Sequence, residues 1–79
     1  MTATKSQISE LQAFGERLRE LRLAEGLSQE ELAARSGLDR TYLSSTERGK
    51  RNISLKAMHS LATALKTTPA NFFPPKEAA

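Results

Sequence analysis

Leu27-Ser28-Gln29-Glu30-Glu31-Leu32-Ala33-Ala34-Arg35-Ser36-Gly37-Leu38-Asp39-Arg40-Thr41-Tyr42-Leu43 holds two helix starts and one helix stop. Ser28 and Glu31 form a Ser-x-x-Glu capping box, so a helix begins there. Leu32 and Ala33 give it a short inner face, and Ser36-Gly37 stops it after about two turns. Asp39 is an N-cap for the next helix, which runs to about Arg48 before Gly49 ends it. Two short helices separated by Ser36-Gly37-Leu38 have the spacing of a helix-turn-helix. Ala33 is small enough to let them approach, and Gly37 supplies the positive φ of a tight turn. Leu38 and Leu43 turn inward. Arg40, Thr41, Ser44 and Ser45 then form a polar face that no core claims. Small polar side chains with one Arg near the helix N-terminus suit a DNA major groove.

The flanking sequence supplies the remaining helices. Upstream, Leu11, Phe14, Leu18 and Leu21 recur at helical spacing. Ser9 and Gln12 can cap that helix, and Gly26 can end it in a left-handed conformation. Downstream, Ser54 caps a fourth helix whose inner face is Leu55, Met58, Leu61, Ala62 and Leu65. Thr68-Pro69 reads as an N-cap followed by proline, opening a short fifth helix with Asn71, Phe72 and Phe73, halted by Pro74-Pro75. No useful window alternates with period two. The expected fold is all-α: a five-helix domain over residues 9–73, with flexible tails at 1–8 and 74–79.

Composition narrows the function. Seventy-nine residues make one domain with one small core. Without cysteine there is no thiolate nucleophile, disulfide or Cys-based zinc site, and the single histidine, His59, rules out a multi-His centre. An enzyme is not expected, nor a metal, cofactor or small-molecule ligand. The longest apolar run, Leu32-Ala33-Ala34, is too short for a membrane span or signal peptide, so the expected location is cytoplasmic. The net charge of +3 is unevenly spread: Arg48, Lys50, Arg51 and Lys56 fall together, and no acid lies between Glu47 and Glu77. On charge alone, a solvated loop and a polyanion-binding loop fit equally well.

The stretch Leu27 to Ala33, then Gly37-Leu38, Leu43 and Glu47-Arg48-Gly49, resembles the lambda-repressor/Cro-like (XRE) family of DNA-binding domains over roughly residues 12–73. Within it, Leu38 to Ser44 and Glu47 to Leu55 look like the controller proteins of restriction–modification systems. The resemblance implies that Arg40, Thr41, Ser44 and Ser45 reach base edges. It implies that Gln29 bonds a phosphate from a helix start, where an anion is favoured in any case. Arg48, Lys50, Arg51 and Asn52 would meet the DNA backbone. Tyr42 carries two readings, a backbone contact or a half-buried packing residue. Arg22 and Glu47 match a structural ion pair. Thr46 departs from the family, which usually has a larger apolar residue there.

A domain this small makes few base contacts, so two copies on a symmetric site are expected. Adjacent helical residues point about 100° apart, so one of the Phe72 and Phe73 rings should lie outside the core. Leu55, His59, Phe72 and Phe73 are the expected homodimer interface. The expected partner is a double-stranded, pseudo-palindromic DNA operator, with RNA polymerase as a further candidate. The controller likeness implies control of the chain's own gene and an endonuclease gene. The alternative is an antitoxin-like or other protein-interaction module on the same fold.

Overall fold

The computed structural model describes residues 9–73. Four α-helices follow in order, α1 (Glu10–Ala24), α2 (Gln29–Ser36), α3 (Arg40–Glu47) and α4 (Leu55–Ala64), then a 3₁₀ turn over Pro69–Phe72. Among the described residues there is no strand, and no helix is long and apolar enough to cross a membrane. The tails at 1–8 and 74–79, with Pro74-Pro75, lie outside the described residues.

Local chemistry sets most boundaries. Ser9 with Gln12 and Ser28 with Glu31 both form complete capping boxes, each side chain meeting the other residue's backbone N–H. Asp39 accepts from the Thr41 and Tyr42 N–H groups, and Ser54 from Ala57. Gly37 closes α2 at φ 76°, a left-handed conformation that a side chain would strain. After α4 the same backbone conformation falls on Lys66, at φ 59°, without the relief glycine gives.

α1 packs on α3, α2 on both α3 and α4, and the 3₁₀ turn on α1 and α4. Leu18, Leu32, Leu43 and Leu61 are wholly buried at the centre. Phe14 and Phe72 extend this core, their ring centroids 5.0 Å apart. Leu21, Leu38, Ile53 and Met58 pack around its edge.

Three sequence expectations change. The fifth helix is only a four-residue 3₁₀ turn, and Thr68 makes no side-chain cap bond to it. That turn is instead tied to α1: Arg17 donates from Nε to the Asn71 carbonyl (2.8 Å) and from Nη2 to Asn71 Oδ1 (2.9 Å). Leu55 leaves the expected inner face of α4 and is 68% exposed, because Ala57, Leu61, Ala62 and Leu65 form the buried face. Phe72, expected at an interface, is 1% exposed and completes the core, so it offers no surface to a partner. Phe73 is the outer ring, 58% exposed and 5.8 Å from Phe14.

Candidate nucleic-acid interface

The seating of α3 fixes its outward face. Leu43 and Thr46 point into the core. Burying a threonine where an apolar side chain would serve leaves a hydroxyl to satisfy, and Thr46 Oγ1 donates to the Tyr42 carbonyl at 2.8 Å. α1 comes down on the end of α3 at Gly15. A Cβ at that position would stand 2.5 Å from the Thr46 carbonyl oxygen and 2.6 Å from that of Glu47. Sequence reading missed Gly15; its only signal was a glycine in mid-helix, where alanine would otherwise be favoured. Gly49 is closed in a similar way. It has φ 74°, and a Cβ there would meet Gln12 of α1 at 2.7 Å.

Behind α3 lies a buried polar junction. Arg22 Nε donates to Glu47 Oε2 at 2.6 Å, and Arg22 Nη2 to Glu47 Oε1 at 3.0 Å, a two-pronged contact between α1 and α3. Both side chains are almost fully buried. Arg22 Nη1 also donates to the Leu27 carbonyl in the turn before α2 (2.8 Å). The hydrogen bond to Glu47, opposed by burial, raises the Arg22 pKa above its ordinary value. Gln29, the first residue of α2, donates from Nε2 to Glu47 Oε1 at 3.0 Å. Sequence reading gave no sign of this last bond, because it joins residues on two different helices.

Arg40, Thr41, Ser44 and Arg48 line a shallow polar depression along α3. Arg40 and Thr41 are exposed at the helix start, while Ser44 and Ser45 are half-buried. Arg48 Nη1 donates to Ser44 Oγ at 2.7 Å, so that guanidinium lies back over the preceding turn. Lys50, Arg51 and Asn52 are exposed in the loop that follows. The Arg51 guanidinium sits 4.6 Å from the centre of the half-buried Tyr42 ring, joining the basic loop to α3 by a cation–π contact. Arg40, Thr41, Ser44, Arg48, Tyr42 and Arg51 are thus on α3 or joined to it, with Lys50 and Asn52 flanking Arg51 in the chain. Gln29, at the α2 start, reaches α3 through its bond to Glu47. The surface offers guanidinium forks, hydroxyls and amides, with no acid between Glu47 and Lys56. That combination can neutralise phosphates and hydrogen-bond base edges. Among the described residues no group of His, Cys, Asp or Glu could hold a metal, and His59 is exposed on α4.

A family model described as a helix-turn-helix domain matches residues 13–72. The control protein C.MunI of Mycoplasma sp is 46% identical over 61 residues, 76% of this chain and 82% of that protein. The control protein C.BamHI of Bacillus amyloliquefaciens is 44% identical over 57 residues, 71% of this chain and 70% of that one. The crystal structure of the restriction-modification controller protein C.AhdI from Aeromonas hydrophila superposes with a TM-score of 0.81 at 56% identity, covering 84% of this chain and 100% of that chain.

Proposed function

The chain belongs to the helix-turn-helix domain family, as a DNA-binding transcriptional regulator of the restriction–modification controller type, and on that footing we propose that it binds a pseudo-palindromic operator as a homodimer. One observation carries this reading: the outward face of α3 is polar, cationic and unused by the core, while its inner face is locked by Leu43, Thr46 and Glu47. Arg40 and Thr41, at the N-terminal end of α3, are the base-reading pair. An Arg fork matches the two acceptors of guanine, and Thr can meet a hydrogen-bonding edge or a thymine methyl. Ser44 and Ser45 continue that face. Gln29, Tyr42, Arg48, Lys50, Arg51 and Asn52 hold the phosphates on either side.

The two-fold partner is a second copy of the chain, meeting it through Leu55, His59 and Phe73; the exposure of all three supports this choice. We further infer, from its likeness to restriction-modification controller proteins, that the chain controls its own gene and a neighbouring endonuclease gene, with RNA polymerase as a candidate partner. The reaction is binding in the cytoplasm, with no chemical step.

Selection of duplexes from a random DNA library at near-physiological salt tests the reading, because non-specific phosphate binding falls away steeply as salt rises. Two symmetric half-sites about one helical turn apart, roughly 34 Å, are expected. A folded protein that enriches no sequence would overturn the reading and favour a protein-interaction module.

A further inference from the structure

Glu47 is a carboxylate, so it can only accept hydrogen bonds. It accepts three: two from Arg22, at 2.6 and 3.0 Å, and one from the Gln29 side-chain nitrogen at 3.0 Å. Arg22 in turn holds the Leu27 carbonyl, so the junction joins α1, the turn before α2, the first residue of α2 and the end of α3. A glutamine amide has a donor end and an acceptor end of nearly equal size, and a free one turns either towards its surroundings. Beside an acceptor-only group that choice is removed, because the amide nitrogen must face Glu47. The second N–H of that nitrogen is then left for an outside acceptor. A Gln29 amide turned the other way would set its carbonyl oxygen against a phosphate oxygen, and the two would repel.

We propose that Glu47 is a positioning residue for DNA binding: its buried carboxylate fixes the Gln29 amide so that an N–H is presented to a DNA backbone phosphate. This rests on the DNA-binding reading and assigns Glu47 a second role beside the ion pair with Arg22. The acid acts through Gln29 and does not itself meet DNA.

Phosphate-ethylation interference on the duplex obtained by selection tests it, since each phosphate is read separately. With the wild-type chain, one phosphate in each half-site is expected to block binding when ethylated and to fall silent in Gln29→Ala. The same phosphate should fall silent in Glu47→Gln, where the neighbouring amide can donate as well as accept. All other interfering phosphates should remain. Each variant should bind about tenfold more weakly, and the double variant no more weakly than either alone. A merely structural role for Glu47 predicts an even loss at every phosphate, and that pattern would overturn the proposal, as would losses that multiply. Should Glu47→Gln fail to fold, Glu47→Asp decides. It keeps the charge beside Arg22 but draws the carboxylate back from Gln29, so the phosphate should again fall silent, and persistence there is contrary. A wild-type chain without any interfering phosphate overturns the DNA-binding reading itself. A clear wild-type pattern that Gln29→Ala leaves intact overturns this inference alone.

Discussion

At the scale of single residues, the most consequential side chains lie behind the interface. Removing the Glu47 carboxylate leaves the Arg22 guanidinium buried without its partner, which typically costs about 3–5 kcal/mol. Glu47→Ala should therefore lower the melting temperature sharply and leave the preferred DNA sequence unchanged; an unchanged melting temperature would refute the clamp. Gly15→Ala sets helix propensity against space. Propensity favours alanine by about 1 kcal/mol. The Cβ, however, would press on two backbone carbonyls that cannot turn aside, and overpacking of this kind costs about 1–3 kcal/mol. A net loss on thermal or urea unfolding is expected, and a gain would show that α1 and α3 are less tightly apposed. Lys66→Gly should go the other way, by up to about 1 kcal/mol, because it relieves a left-handed backbone after α4. Gly15 and Lys66 were hard to read from sequence. The carbonyls against Gly15 come from a distant helix, and Lys66 carries none of the glycine signal that marked the ends of α1, α2 and α3.

Among elements, the helix starts were legible because their chemistry acts within three residues. Ser9 with Gln12 and Ser28 with Glu31 close on themselves whatever lies elsewhere in the chain. The Ser28 backbone N–H, and then its hydroxyl, hold the Glu31 carboxyl below its ordinary value of 4.5. A depressed acid contributes stability that is complete above that value and lost as pH falls through the lower folded one. Glu31→Gln should thus lose less of its melting temperature than the wild type between about pH 6 and about pH 3. An equal loss in the two proteins would mean that the box contributes nothing to acid sensitivity. The fifth element was legible only in outline. Pro69 marked its start, but the Arg17–Asn71 bonds that anchor it join residues far apart in the chain, and pattern alone did not say which of Phe72 and Phe73 would enter the core. On α3 and the loop after it, the proposed base-facing and phosphate-facing groups separate by experiment. Arg40→Ala should relax preference at one base pair per half-site, costing about 1–3 kcal/mol. Arg51→Ala should weaken all sequences alike and lower the salt slope by about one. If both variants relaxed the same base pair, the division between α3 and the loop would be wrong.

At the scale of the whole molecule, the proposed assembly divides the exposed surface of the described residues between two partners. The cationic face of α3 and its loop faces DNA in this reading, and Leu55 and Phe73 stand out on elements that follow it. A Leu55→Glu/Phe73→Glu double variant should sediment as a monomer under conditions where the wild type is a dimer, and should lose most of its affinity for a two-half-site duplex while staying folded. Unchanged sedimentation would place the partner surface elsewhere. The core and the helix-turn-helix could be read from sequence because burial and capping leave a periodic record. At the Glu47 junction, the Arg22 pair was legible only through the family resemblance and the Gln29 bond not at all, because these are individually ordinary polar residues that meet only when α1, α2 and α3 have packed. Methylation interference at guanine N7, which projects into the major groove, shows whether α3 lies there with Arg40 against a guanine. On the selected duplex, two clusters of interfering guanines should appear about one helical turn apart on one face of the DNA, and Arg40→Ala should silence one guanine in each. Interference that is absent, or that is untouched by Arg40→Ala, would contradict this placement.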